Sequence, residues 1–119
     1  MNFNDSKQQF TAILTDEAEE QLIELSAENR EKISTAIKTF ELIGTAYKNL
    51  NDLGGGLFEI KPQGVRAYFM YDSAHRRVII IGFITLKTTQ KAPQRFMKQA
   101  RRNIEKYLKE QEATDGKNS

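Results

Sequence analysis

The run Val78-Ile79-Ile80-Ile81-Gly82-Phe83-Ile84 constrains this chain more than any other feature. It is dense in β-branched residues, seven long and uninterrupted by charge. A membrane span needs about 18 to 20 such residues, so the run is strand-sized. A strand with no polar alternation has no face to give to water, and it must be covered on both sides. The rest of the chain therefore has to supply a layer above and a layer below one sheet.

Two segments can do so. Ile33, Ala36, Ile37, Phe40 and Ile43 recur at helical spacing, with Gly44 at the C-cap position. Ala18, Leu22 and Leu25 form a shorter stripe before them. Asp16 reads as the N-cap of that first helix, with Glu19 completing a capping box. The two helices read as an antiparallel hairpin turning around Ala27 to Arg30. A third helix follows Pro93, which suits a first helical turn, and is expected to run to about Glu112. Met97, Ala100, Ile104, Tyr107 and Leu108 make its apolar stripe, and Arg95, Lys98, Arg102, Lys106 and Lys109 its basic one.

The remaining strands read as Phe10 to Leu14, Leu57 to Lys61 and Val65 to Tyr71. Short connections, including a turn at Asp72 to Arg76, imply antiparallel pairing. Asn49 to Gly56 reads as a loop whose Gly54-Gly55-Gly56 is a flexible turn. No helix follows those glycines, so they do not form a phosphate cradle. The expected architecture is α+β in the order β-α-α-β-β-β-α. One domain is expected over residues 10–112, with flexible tails at 1–9 and 113–119.

Composition narrows the chemistry. There is no cysteine and one histidine, His75, which removes disulfides, thiolate zinc sites, cysteine nucleophiles and paired catalytic histidines. No metal or cofactor is expected. Neither a signal peptide nor a membrane span is present, which points to the cytoplasm. Net charge is +2 but unevenly spread. Residues 1–50 carry five basic and nine acidic groups, whereas residues 51–119 carry thirteen basic and seven acidic. One face is thereby suited to a polyanion.

The basic residues on the β section and its edges are Lys61, Arg66, Arg76, Arg77, Lys87, Lys91 and Arg95. Such groups can serve phosphodiester cleavage in RNA, which brings its own nucleophile in the 2′-hydroxyl. The protein must align it, move protons and neutralise charge on the phosphate oxygens. Arginine suits the last task, and a lysine crowded by cations can exchange protons near neutrality. Tyr68, Tyr71 and Phe83 lie close enough in sequence to stack a base. Arg66, in mid-strand, could equally be an inward cation paired with Glu59, and the tyrosines could be packing residues.

Four segments in register carry a resemblance: Leu53-Gly54-Gly55-Gly56-Leu57-Phe58-Glu59-Ile60-Lys61, Val65-Arg66-Ala67-Tyr68-Phe69, Ile80-Ile81-Gly82-Phe83, and Lys87-Thr88-Thr89-Gln90-Lys91-Ala92-Pro93 opening a basic helix. Over about residues 10–110 the chain resembles the phage-derived Gp49-like branch of the HigB toxins, within the RelE/ParE superfamily. The resemblance implies a RelE-like fold, with a helical hairpin on a curved antiparallel sheet and a C-terminal helix. It implies a toxin that cuts mRNA on the ribosome without a metal, silenced by a helix-turn-helix antitoxin. Operator DNA would be met only through the complex with that antitoxin. By position it assigns catalysis to Lys61, Arg66 and Lys87, with Arg66 on the scissile phosphate. It also matches Lys91, and RNA or ribosome contact is expected of Lys91 and, from the residues themselves, of Tyr68, Arg76, Arg77 and Arg95. Three departures stand out: Lys61 where the pattern has arginine, Thr88 where it has the second of two lysines, and a longer stretch from Phe83 to Lys87. A ParE-like gyrase inhibitor and an inactive relic that only binds antitoxin are the alternatives.

Overall fold

The computed structural model describes residues 8–118, so most of the tail expected at 1–9 lies outside the described residues. The elements are β1 (Thr11–Leu14), α1 (Asp16–Glu24), α2 (Ala27–Ile43), a 3-10 turn (Gly44–Ala46), β2 (Leu50–Gly54), β3 (Leu57–Ile60), β4 (Val65–Tyr71), β5 (Val78–Leu86) and α3 (Gln94–Asn118). They form one five-stranded sheet in the order β1-β5-β4-β3-β2. Neighbours pair antiparallel except β1, which lies parallel to β5 with Thr11 opposite Val78 and Leu14 opposite Ile81. The fold is α+β with the expected helical hairpin and C-terminal helix. No helix among the described residues is long and apolar enough to cross a membrane.

The apolar run is buried as its composition demands, because it alternates between two cores. Ile79, Ile81 and Ile84 pack under α1 and α2 with Ile33, Ile37, Phe40 and Phe69. Ile80 and Phe83 pack under α3 with Tyr68, Ala100 and Ile104. Strict alternation would put Ile81 and Phe83 on one face. The register breaks between them: Tyr68 pairs with Phe83 and Phe69 with Ile81, so Gly82 has no partner and forms a bulge. A Cβ at Gly82 would lie 2.6 Å from the Ala100 carbonyl oxygen, so only glycine lets α3 approach this closely. The buried Asn103 donates to the Gly82 carbonyl at 2.8 Å, and Gln99 donates to Asn103. Gln21 of α1 accepts from Ile84 N at 2.7 Å, satisfying an N–H beyond the end of β1.

Several boundaries differ from the sequence reading. Thr15, not Asp16, caps α1: its buried hydroxyl accepts from Ala18 N, and Asp16 is the first helical residue. Ser26 caps α2, so the hairpin turns at Leu25-Ser26, upstream of the expected turn. The expected loop 49–56 contains a strand, β2, closed onto β3 by the glycines. Gly54, Gly55 and Gly56 all have positive φ, which explains the triplet. That turn is gripped, since Arg101 of α3 donates to the carbonyls of Gly54 and Gly55 at 2.8 Å each. Helix α3 runs past Glu112 to Asn118, with Pro93 just outside it. Its apolar stripe packs on the sheet, and Arg95, Lys98, Arg102, Lys106 and Lys109 are exposed.

Candidate functional site

Antiparallel register sets which basic residues meet. β3 ends, β4 begins and β5 ends at the same edge of the sheet, with Ile60 opposite Ala67, and Val65 opposite Leu86. Lys61 N donates to Asn49 O and Lys87 N to Gly64 O, extending the pairing by one residue on each side. Lys61, Arg66 and Lys87 therefore share one end of the molecule, and the loop Lys87 to Pro93 folds back over it.

Arg66 does not present itself to solvent there. Its side chain is 1% exposed and lies against Glu59, which is 4% exposed, with Nε 2.8 Å from Oε2. The Nε–H is not aimed along that line, so the contact is Coulombic more than directional; Nε, Oε2 and the buried Tyr68 hydroxyl all lack a well-directed hydrogen bond. The other guanidinium nitrogens donate to three consecutive loop carbonyls: Nη2 to Thr89 and Gln90 at 3.2 and 3.3 Å, and Nη1 to Lys91 at 3.4 Å. Thr89 Oγ1 closes the loop on itself by donating to the Lys91 carbonyl at 2.6 Å. The expectation that Arg66 grips a phosphate gives way to geometry: its charge is matched by Glu59 and its donors are spent on the loop. It is the inward, paired cation that its mid-strand position also allowed.

Tyr68 is likewise fully buried, between Arg66 and the α3 core, and has no face free to stack a base. Burial pushes its phenol above the ordinary value, with Arg66 pulling partly the other way.

A groove of about 450 Å³ opens beside this pair. One wall is β2 and the end of β3, with Asn51, Leu53 and Lys61. The opposite wall is the loop and the first turns of α3, with Gln90, Lys91, Gln94 and Met97. Lys61 is 26% exposed, and its Nζ lies 4.0 Å from Glu59 Oε1. Lys91 is exposed on the rim. Lys87 lies in a neighbouring groove of about 370 Å³ with Gly64, Thr88 and Thr89, and Gln90 borders both. Arg95 is exposed on α3, its guanidinium 4.7 Å from the Phe96 ring centroid; Phe96 stacks on Phe83 at 5.0 Å.

Arg76 and Arg77 do not join this set. They lie in the β4–β5 turn, at the far end of a seven-residue strand, which spans about 20 Å. There they border a separate groove with Gln8, Gln9 and Phe10. That turn is built by Asp72, which accepts from Ala74 N and His75 Nδ1 at 2.9 Å each. Burial would raise the Asp72 carboxyl; these hydrogen bonds outweigh it and hold the group below its ordinary value. Sequence reasoning missed Asn51, Gln90 and Gln94 as groove residues, because a carboxamide carries no signal until a fold brings several together. Among the described residues, no three histidine, cysteine, aspartate or glutamate side chains are grouped to hold a metal ion.

The family model "phage derived protein Gp49-like" matches residues 20–105. No curated protein matches the chain. Among solved structures, a chain of the toxin-antitoxin complex RelBE2 from Mycobacterium tuberculosis superposes with a TM-score of 0.56 at 16% identity. The superposition covers 66% of this chain and 99% of that one, and carries the likeness of fold.

Proposed function

This chain belongs to the phage-derived Gp49-like family, and from that premise we propose that it is the toxin of a toxin–antitoxin pair and cleaves messenger RNA on the ribosome. Three lines support the reading: the family, a fold shared with a chain of a toxin–antitoxin complex, and the groove at the end of the sheet. The groove carries the argument. Lys61 and Lys91 stand on opposite walls of a cleft of about 450 Å³, within the usual volume of a small-ligand site, and Arg66 holds one of those walls in place.

In this reading the 2′-hydroxyl attacks the adjacent phosphorus and the 5′-oxygen leaves, giving a cyclic phosphate and a free 5′-hydroxyl. Lys61 and Lys91 neutralise charge on the phosphate oxygens and serve proton transfer. Lys87 and Arg95, on the two flanks, hold neighbouring phosphates or ribosomal RNA. Arg66 is a positioning residue, acting through the loop it anchors. A helix-turn-helix antitoxin would cover the site and carry the complex to operator DNA, and the cytoplasm is where the ribosomes are.

One observation favours a second reading. The arginine expected on the phosphate is buried against a carboxylate, as it would be in a relic that keeps its fold and antitoxin but has lost its chemistry. Induced expression in bacteria without antitoxin, with mRNA 5′-ends mapped, separates the two. Growth arrest with new ends, lost in Lys61→Ala, supports the interferase. Harmless expression with antitoxin binding intact establishes the relic. Arrest with intact mRNA sends the inquiry to gyrase.

A further inference from the structure

A buried ion pair is an expensive way to fill a core. Desolvation takes back most of the Coulombic gain, and an apolar pair of equal volume often does as well. The Glu59–Arg66 pair has a second effect that an apolar pair would lack. Its carboxylate end accepts from Asn51 Nδ2 at 3.1 Å, fixing a side chain of one groove wall. Its guanidinium end holds the carbonyls of Thr89, Gln90 and Lys91, fixing the backbone of the other. One buried pair thus sets the position of both walls before any ligand arrives.

We infer that this groove is a nucleobase subsite, and that Asn51 is its specificity-determining residue; the inference rests on the RNA-cleaving reading of the same end of the molecule. The chemistry of the walls favours a base over a bare anion. Glu59 lines the cleft with its carboxylate already engaged by Arg66, Asn51 and Lys61, so it offers a deep-seated phosphate no donor. Leu53, Ala92 and Met97 supply the apolar contact that the face of a base requires. Asn51, Gln90 and Gln94 supply carboxamides, each with a donor and an acceptor for a base edge. Asn51 is the one whose orientation is set. Its amide nitrogen donates to Glu59, which leaves Oδ1 as the acceptor it can offer to a ligand N–H. Lys61 and Lys91, at the rim, take the phosphate attached to the inserted base.

The test uses the isolated protein, with AMP, GMP, CMP, UMP and ribose 5-phosphate titrated in turn and followed by NMR. Each nucleotide is expected to bind about tenfold more tightly than ribose 5-phosphate, the low end of what one stacked base contributes. Shifts should centre on Leu53, Met97 and Gln94. Asn51→Leu should change the order of the four bases and leave ribose 5-phosphate where it was. Should Asn51→Leu fail to fold, the smaller Asn51→Ser tests the same position, with the same change in the order of the bases expected. Equal binding of ribose 5-phosphate and the nucleotides overturns the inference. So do shifts centred on the Lys87 groove or the Arg76 turn, or no saturable shift at about 10 mM, well above a millimolar dissociation constant. No ribosome or cleavage enters this assay. Base binding without mRNA cleavage in cells keeps the subsite and removes the interferase, and cleavage without base binding does the reverse.

Discussion

Removing one end of the buried pair should cost far more than removing both. Arg66→Met leaves the Glu59 carboxylate in a site where its side chain is 4% exposed, with Asn51 and a lysine ammonium 4.0 Å away as its remaining partners. It also takes the guanidinium from three loop carbonyls, of which only that of Lys91 keeps a second donor, the Thr89 hydroxyl. Breaking a buried pair at one end costs about 3–5 kcal/mol. Partial compensation by Lys61 places Arg66→Met near the lower bound, about 3 kcal/mol. With a urea slope of about 1.5 kcal/mol per molar, the unfolding midpoint should fall by about 2 M. Glu59→Leu strands the guanidinium and should cost a similar amount. The double variant, Glu59→Leu with Arg66→Met, leaves no buried charge and should recover most of the loss, a coupling of about 4 kcal/mol or more. Hydrogen exchange separates stability from organisation: amides from Lys87 to Ala92 should exchange faster in the double variant even though its midpoint is restored. A double variant no more stable than either single, or a loop as protected as in wild type, would refute the argument that the pair exists to hold the groove.

Gly82→Ala puts a methyl group 2.6 Å from a helix carbonyl, so α3 must move; about 1–3 kcal/mol of overpacking should appear in urea unfolding, and an unchanged midpoint would mean the helix has room. Loss of the Thr15 cap in Thr15→Ala should cost about 1 kcal/mol by the same measurement. The Asp72 carboxyl, held below its ordinary value, contributes stability above the ordinary aspartate range and loses it as pH falls through the depressed folded value; turn amides 72–77 followed from pH 5 to 2 should loosen in wild type, whereas Asp72→Asn should be flat. Lys61→Ala and Lys91→Ala should each lower mRNA cleavage by about a hundredfold or more, while Arg76→Ala and Arg77→Ala, about 20 Å distant, should leave the chemical step unchanged.

Where composition forces a burial pattern, the sequence was readable. A run such as Val78 to Ile84 has one solution, and the two stripes of α3 name its inner and outer faces without help. Strand β2 was not readable, because Leu50 to Gly54 is short, polar and at the sheet edge, where little is buried and no alternation is enforced. The candidate site was legible in its membership more than in its arrangement. Charge identifies Arg76 and Lys61 equally well as cations, and only register says that they face opposite ends of the sheet. Which way Arg66 and Tyr68 point depends on the parity of β4 against its neighbours, and a one-residue slip reverses it. The bulge at Gly82 is such a shift, and nothing in Ile81-Gly82-Phe83 says which residue is to go unpaired.

The parallel pairing of β1 with β5 also orders events during synthesis. Residues 11–14 leave the ribosome early, but the strand they must lie against ends with residues 78–86. Until then β1 has no neighbour in the sheet, the inner face of α1 has no floor, and that of α2 has only β3 and β4. The helical hairpin can form locally, yet its apolar side stays uncovered until about two-thirds of the chain has been made. A nascent chain of this protein is thus a sticky helical pair with a loose strand, and whatever shields it in that interval meets the α1–α2 face first. The groove, assembled from β2, β3, the loop after β5 and the first turns of α3, forms only after that sheet is complete.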